Sequence, residues 1–365
     1  MNAGVRDENP GFRGNRPRSV LELRDWHRRS LSEPALDPEL PIVDAHHHLY
    51  GVVTDGQHYR VEDLAQDLAS GHRVIGTVYV EAFGSGWYPG GPPSRRSIGE
   101  VEMIVRESAN PVRCEHGACQ LAAAIVSNVD LTLGDEVAAL LEAHVLAGQG
   151  RMRGVRHHAT RDEGWIGRFT HNAPRHLLAD KHFRQGFAWL ERSGLSFDAL
   201  VFHTQLAELA DLADAFPYTP IILNHVGTLI GVPEYGVSRA TLLAEWERGL
   251  RALAARPNVS VKIGGMGMPL FGFGFENADK PANSGELAQA WQPFIEVCVD
   301  AFGPQRCMFE GNFPIDKQSC GYTELWNAFK LSTRGCSHDE RSALFYRTAC
   351  RAYRLPELEC LGDER

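Results

Sequence analysis

The sequence predicts an α/β chain folded as a (β/α)8 barrel, a TIM barrel, with an N-terminal arm. From Pro41 onward, short apolar runs of the kind that form strands buried on both faces alternate with segments whose apolar residues recur at helical spacing. Eight such repeats in series suit a closed barrel. An open doubly wound sheet usually has fewer strands and a glycine-rich first turn, and no G-x-G-x-x-G follows the first run here. At 365 residues, 43% hydrophobic and 23% charged, the chain can bury a large core, which excludes a disordered or collagen-like protein.

Residues 1–38 read as a partly ordered arm. They carry Asn9-Pro10-Gly11, Arg16-Pro17-Arg18, Pro34 and Pro38, with one short helix expected over 20–29 whose Leu21, Leu23 and Trp26 dock on the main body. Residues 39–365 read as a single barrel domain, because no Ser/Gly linker divides them. Its strands are expected at 42–48, 74–81, 121–127, 152–157, 197–203, 221–225, 259–263 and 307–312. Between them, Val137, Leu140, Leu141, His144 and Val145 mark one helix face, Leu206, Leu209, Ala213 and Phe216 a second, and Leu243, Trp246, Leu250 and Leu253 a third. Three long connections rich in Gly and Pro, 83–97, 227–238 and 264–284, each follow a strand. In a barrel they lie on the C-terminal face, where active sites are built and where they can form a substrate lid.

The net charge of −9 and the lack of a basic block give a nucleic-acid groove little support, so a small-molecule substrate is expected. The longest apolar run, 121–126, is far below the roughly 20 residues that span a bilayer. With no signal-peptide pattern near the start, the expectation is a cytoplasmic protein without membrane partners. Eight scattered cysteines with no C-x-x-C pair suit reduced thiols. The apolar arm residues and the Gly/Phe-rich loop suggest a homodimer.

The most specific chemical feature is Asp44-Ala45-His46-His47-His48 at the end of the first strand. Strand alternation sends His46 and His48 together into the barrel mouth and His47 away, a geometry that suits metal chelation. The apolar lead-in Pro-Ile-Val argues against a tag. His157, His203 and His225 fall at the ends of the fourth, fifth and sixth strands. One such histidine alone is better read as a core residue, but strand ends converge on one mouth, so His46, His48, His203 and His225 together suggest a single metal or substrate site. Arg156 and His157 have opposite pleat directions, so only one faces inward. Arg156 suits an anionic group held by two oxygens, although a scaffold ion pair is an equal reading. Lys262 is costly to bury unpaired and must reach a carboxylate, a substrate or water. Tyr79 and Glu81, at alternate positions, are candidates for a polar wall. On the eighth strand Glu310 and Asn312 share a face, with Asp316 just beyond a turn at Pro314; any carboxylate acting as ligand or base is expected among these.

The D-x-H-x-H strand, the histidines on strands five and six and the Phe-Glu-Gly-Asn-Phe-Pro segment on strand eight together resemble the amidohydrolase superfamily. The closer likeness is to its branch of sugar lactonases, pyrone-dicarboxylate lactonase and non-oxidative decarboxylases. The resemblance covers about residues 41–355. It implies that His46, His48 and His203 bind one divalent metal, zinc or manganese, or polarise a carbonyl directly. It also implies that His225 acts in catalysis and that Arg156 contacts a substrate carboxylate. Where most relatives have an aspartate in Gly-Ser-Asp-Trp-Pro, this chain has Asn312, which takes no proton at neutral pH and is a weak ligand, so metal-independent action is a real alternative.

The expected function is therefore a hydrolase opening a lactone or related cyclic ester of a small polar or anionic compound, by histidine-assisted and optionally metal-assisted attack of water. Catalysis is assigned to His225, His203, Glu310 and Asn312, and substrate contact to Arg156, Tyr79, Lys262 and His157. One alternative is a decarboxylase or hydratase on the same barrel, for which Asn312 is less damaging. Another is an inactive barrel used as a binding protein.

Overall fold

A computed structural model describes residues 18–31, 33–54, 57–82, 84–168 and 170–363. Eight parallel strands form the barrel: β1 (Ile42–His47), β2 (Val74–Val80), β3 (Gly117–Asn128), β4 (Met152–Arg156), β5 (Ser196–Ala199), β6 (Ile221–Leu223), β7 (Val259–Ile263) and β8 (Cys307–Phe309). They pair in chain order. The barrel closes just past β8, where His47 bridges Phe313, His48 N donates to Phe313 O and Asn312 N donates to His46 O. A small antiparallel hairpin, Tyr50–Thr54 with Gln57–Tyr59, follows β1, and a short strand, Val112–Cys114, pairs with β3.

Around the strands run α2 (Val61–Leu68), α3 (Ile98–Glu107), α4 (Val137–Ala147), α5 (Lys181–Arg192), α6 (Leu206–Ala215), α7 (Arg239–Ala254), α8 (Ser284–Phe302) and α9 (Tyr322–Ser332). Most of each predicted helical face is buried: Val137, Leu140, Leu141 and His144 on α4, Leu206, Leu209 and Ala213 on α6, and Trp246, Leu250 and Leu253 on α7, with Phe216 and Leu243 half-buried; Val145 of the α4 face is exposed, one residue beyond the buried stripe. The barrel interior is lined by Val43, Ala45, Val78, Val80, Ala124, Val126, Ile222 and Met308. A C-terminal segment, α10 (His338–Ser342), α11 (Thr348–Tyr353) and α12 (Pro356–Asp363), packs Cys350, Tyr353 and Leu358 against that lining. Gly76, early in β2, is where Leu358 approaches, and a side chain there would strike it.

Residues 1–17 of the expected arm lie outside the described residues. The rest of it is strapped to the barrel. Its helix α1 (Val20–His27) starts on a capping box between Ser19 and Glu22. Trp26 is buried and donates Nε1 to Ala278 O, whereas Leu21 is exposed. Glu33 accepts from Ser284 N, and Lys330 donates to Leu36 O and Asp37 O. All eight cysteines are free thiols, and no described helix is long and apolar enough to cross a membrane.

Candidate active site

The site begins with an irregularity in β1. Asp44 pairs with Thr77 and His47 with Tyr79, so two residues, Ala45 and His46, stand opposite the single residue Val78. This is a β-bulge, and it re-aims one side chain. Asp44 and His47 both face the helices: Asp44 accepts from Tyr322 on α9, and His47 lies 2.9 Å from Thr77 Oγ1. His46 is thereby turned inward beside His48.

His46 is the hub. Its Nε2 lies 3.2 Å from His48 Nε2 and 3.3 Å from Arg156 Nη1. Its Nδ1 lies 3.4 Å from Lys262 Nζ and 2.9 Å from Glu310 Oε2. The last contact is off the line of a hydrogen bond, so Glu310 Oε2 is a buried carboxylate oxygen without a donor. Glu310 Oε1 accepts twice from His225, from Nδ1 at 2.7 Å and from the backbone N at 3.0 Å. His225 itself sits in the left-handed region (φ 53°), as does the β-branched Val226 after it (φ 47°), a strained turn held by its surroundings. Gly264 and Gly265 approach Glu310 and His225 so closely that a Cβ on either would collide. The glycines of this loop thus serve close packing at the site.

Both cations are paired with buried carboxylates, and Arg156 keeps Nη1 on the side of His46. Arg156 donates Nε and Nη2 to Glu81 Oε1 and O at 2.6 and 2.7 Å. Lys262 pairs with Asp198 at 2.7 Å, and Asp198 also accepts from Asn224 and from Tyr353 of α11. Burial, reinforced by Lys262, His225, His48 and Arg156, holds the His46 pKa well below its ordinary value; burial pushes His48 down to about 3. Both rings are therefore neutral near pH 7 and offer lone pairs. His48 donates Nδ1 to Val80 O at 2.9 Å, which leaves its Nε2 as the acceptor facing His46.

Several predicted residues lie elsewhere. His203 is four residues past the end of β5, on the turn His203–Gln205, because the chain leaves the strand at Ala199. Its Nδ1 accepts from Ile230 N, its Nε2 is buried without a partner, and no hydrogen bond or ring contact joins it to His46, His48 or His225 among the described residues. Tyr79 faces the helices with Thr77 and donates to Glu100 on α3 at 2.6 Å. It does not share a wall with Glu81, because β2 ends at Val80 and strand alternation ends with it. Of the pair on β4, Arg156 faces inward; His157 accepts from Leu131 N at 3.1 Å and rests edge-on against Phe183. Asn312 donates Nδ2 to Asp316 at 2.8 Å, and Asp316 also accepts from Gly267 N at 2.9 Å. Burial drives Asp316 up to about 8.

His158, absent from the predicted set, lies 2.7 Å from Glu81 Oε1 through Nε2. It sits in the wall of a cavity of about 580 Å³ beside the ends of β3 and β4, together with Trp87, Asn128, Asp130, Thr132 and His157. The run Arg156-His157-His158 was the available signal, since the strand ends between its first two members. Three ligand atoms, one each from His46, His225 and Glu310, lie within 4.8 Å of one another and form the metal-capable trio found among the described residues.

The amidohydrolase family model matches residues 43–355. The chain is 30% identical over 337 residues to the uncharacterized protein y4mH of Sinorhizobium fredii, covering 87% of this chain and 99% of that one. It is 32% identical over 215 residues to L-fucono-1,5-lactonase of Burkholderia multivorans, covering 57% of this chain and 64% of that enzyme. Among solved structures, an amidohydrolase from Burkholderia multivorans with bound zinc superimposes with a TM-score of 0.64 at 23% identity, over 86% of this chain and 99% of that one.

Proposed function

The chain belongs to the amidohydrolase family, and from that premise we propose that it is a hydrolase that opens a lactone ring. The observation that carries the reading is the Glu310–His225 pair at the barrel mouth. A carboxylate accepting from Nδ1 fixes the imidazole tautomer and leaves Nε2 as a proton acceptor. Lactonase relatives that align over part of the chain support it.

Water adds to the lactone carbonyl carbon as His225 Nε2 takes its proton. The resulting negative charge on the carbonyl oxygen is favoured by the positive guanidinium of Arg156, held in place by Glu81. The ring C–O bond then breaks, and the departing oxygen is protonated to give the hydroxy acid. His46 and His48 are too weakly basic to carry these protons, and their part is to supply lone pairs.

The residues fit a divalent metal. Two Nε2 atoms 3.2 Å apart match two ligands at about 2 Å from one ion, and the His48 tautomer leaves its Nε2 lone pair on that side. His46 and His48 would hold the ion through these two nitrogens. A bound ion supplies Lewis-acid polarisation of the carbonyl.

The test is a pH-stat assay of purified protein on five- and six-membered lactones. Acid release with saturation kinetics, abolished in His225→Asn, is expected. Failure to open any lactone while releasing carbon dioxide from an aromatic carboxylic acid would replace the hydrolase with a lyase.

A further inference from the structure

Resting on the lactone-hydrolase reading for its rate measurement, we infer that Asp316 is a positioning residue for His225. Gripping Asn312 with one carboxyl oxygen and Gly267 with the other, it holds the turn 264–267 against the His225 ring and the Glu310 side chain.

The first argument is cost. Asp316 is fully buried, and no Lys, Arg or His pairs with it among the described residues; the charges that act on it, Glu310 and Asp44, are like charges. A carboxyl buried without a counter-cation is expensive. What it makes in return is two hydrogen bonds, from Asn312 Nδ2 at 2.8 Å and from Gly267 N at 2.9 Å. A carboxyl accepts both at once, one on each oxygen, where an amide has a single acceptor oxygen.

The second argument is the path from Asp316 to the reacting groups. Gly267 is fastened on both sides: its N–H donates to Asp316, its carbonyl accepts from Ser319 Oγ at 2.5 Å, and a Cβ on it would lie 2.8 Å from the Asp316 carboxyl carbon. Met268 N donates to Gly265 O at 3.2 Å and closes the turn. At the other end of that turn Gly264 packs on Glu310 and Gly265 on the His225 ring, each too close for a Cβ. His225 depends on such a support, because its backbone and that of Val226 lie in the left-handed region, which persists only where the surroundings impose it. A turn released from Asp316 no longer presses on the ring, and Nε2 loses its aim.

The third argument is the residue at 312. Asn312 spends Nδ2 on Asp316 and its backbone N–H on His46 O at 2.8 Å, so it ties the end of β8 to β1. Asn312→Asp would set a second carboxylate against Asp316 across that 2.8 Å contact, where two like charges do not both ionise. The amide is thus what makes the grip possible. Exchanging the two residues keeps an amide donor facing a carboxylate and leaves the amide oxygen to accept from Gly267 N.

The test follows hydrolysis of glucono-1,5-lactone by the purified protein, together with the proton resonance of the His225 Nδ1–H bonded to Glu310, identified by its absence in His225→Asn. Asp316→Asn leaves one of two donors without an acceptor and is expected to lower kcat about 10- to 100-fold with KM held within about 3-fold, the effect of a misplaced reacting group. The resonance is expected to shift or broaden with it. Asn312→Asp is expected to act alike, and the exchanged pair Asn312→Asp/Asp316→Asn to bring kcat back within about 3-fold of wild type and to return the resonance. Should Asp316→Asn fail to fold, Ser319→Ala, which removes only the second bond to Gly267, is expected to lower kcat about 3- to 10-fold in the same sense. A rise in kcat in Asn312→Asp, an exchanged pair no better than the worse single variant, or a resonance unmoved in Asp316→Asn overturns the inference while lactone hydrolysis stands. Wild-type protein inert on this and every other lactone removes the hydrolase reading, and the resonance then decides alone whether Asp316 positions His225.

Discussion

The floor of the barrel mouth and the cavity wall beside it are built on opposite terms. On the floor, His46, Glu81, Lys262, Asp198 and Glu310 are fully buried, and the two cations, Arg156 and Lys262, each pair with a buried carboxylate. In the wall, His157, Asn128 and Asp130 are partly exposed and bonded to nearby backbone groups. The contrast teaches that the groups held most firmly here are the ones closed to solvent, and that the polar groups open to an incoming molecule lie in the wall beside them.

The sharpest way to break the comparison is Glu310→Gln. Removing the carboxylate that fixes the His225 tautomer is expected to lower kcat by about 100- to 10,000-fold with KM little changed. A rise in KM alone would move Glu310 from the floor's chemistry to binding. Next in size is Arg156→Met, which leaves the Glu81 carboxylate buried without its guanidinium and is expected to cost about 3–5 kcal/mol in urea unfolding. The double variant Glu81→Leu/Arg156→Met should recover much of that loss; a double variant no better than the single would show that the pair is not the source. His48→Asn is then expected to lower zinc content, measured by mass spectrometry on untagged protein, without a comparable change in melting temperature. Unchanged metal content would place any ion elsewhere.

The smallest effect expected concerns the link between floor and wall. Glu100 accepts from Tyr79, from Ala82 N and from Trp87 of the cavity, and burial with the nearby Glu81 charge raises it to about 7 from an ordinary 4.5. A carboxyl raised in the folded state favours folding fully below about pH 4.5, and that contribution is lost as pH rises through about 7. The urea midpoint should therefore fall between pH 5 and pH 8, and the fall should be shallower in Glu100→Gln. Parallel pH profiles for the two proteins would show that Glu100 is not the group responsible.

Much of this was legible in the sequence. All eight strands stand where the apolar runs place them, because a strand buried on both faces announces itself by composition alone. Strand ends were less legible: the runs over 197–203 and 221–225 stop in the structure at Ala199 and Leu223, so His203 and His225 ride on turns whose direction no alternation rule supplies. One of those turns swings His225 onto Glu310, and the other carries His203 away from the cluster. The inward aim of His46 and His48 was readable from their spacing, but the bulge that sends Asp44 the other way was not, since a bulge is a property of two strands in register. Lys262 plainly requires a counter-charge; that it is Asp198, 64 residues earlier on β5, emerges only once the barrel closes. From sequence alone Arg156 suits an anionic ligand and a scaffold ion pair equally, and the structure shows the ion pair, with Glu81.

Tyr353, in the segment after the eighth strand, donates to Asp198 at 2.8 Å from inside the barrel lining. Its consequence is temporal. During synthesis every strand leaves the ribosome before this hydroxyl does, so a chain that has finished its barrel still lacks one of the three donors that settle Asp198 beside Lys262. The site is completed last, by a residue that never approaches the substrate. A nascent chain stalled after β8 is accordingly expected to collapse without becoming competent.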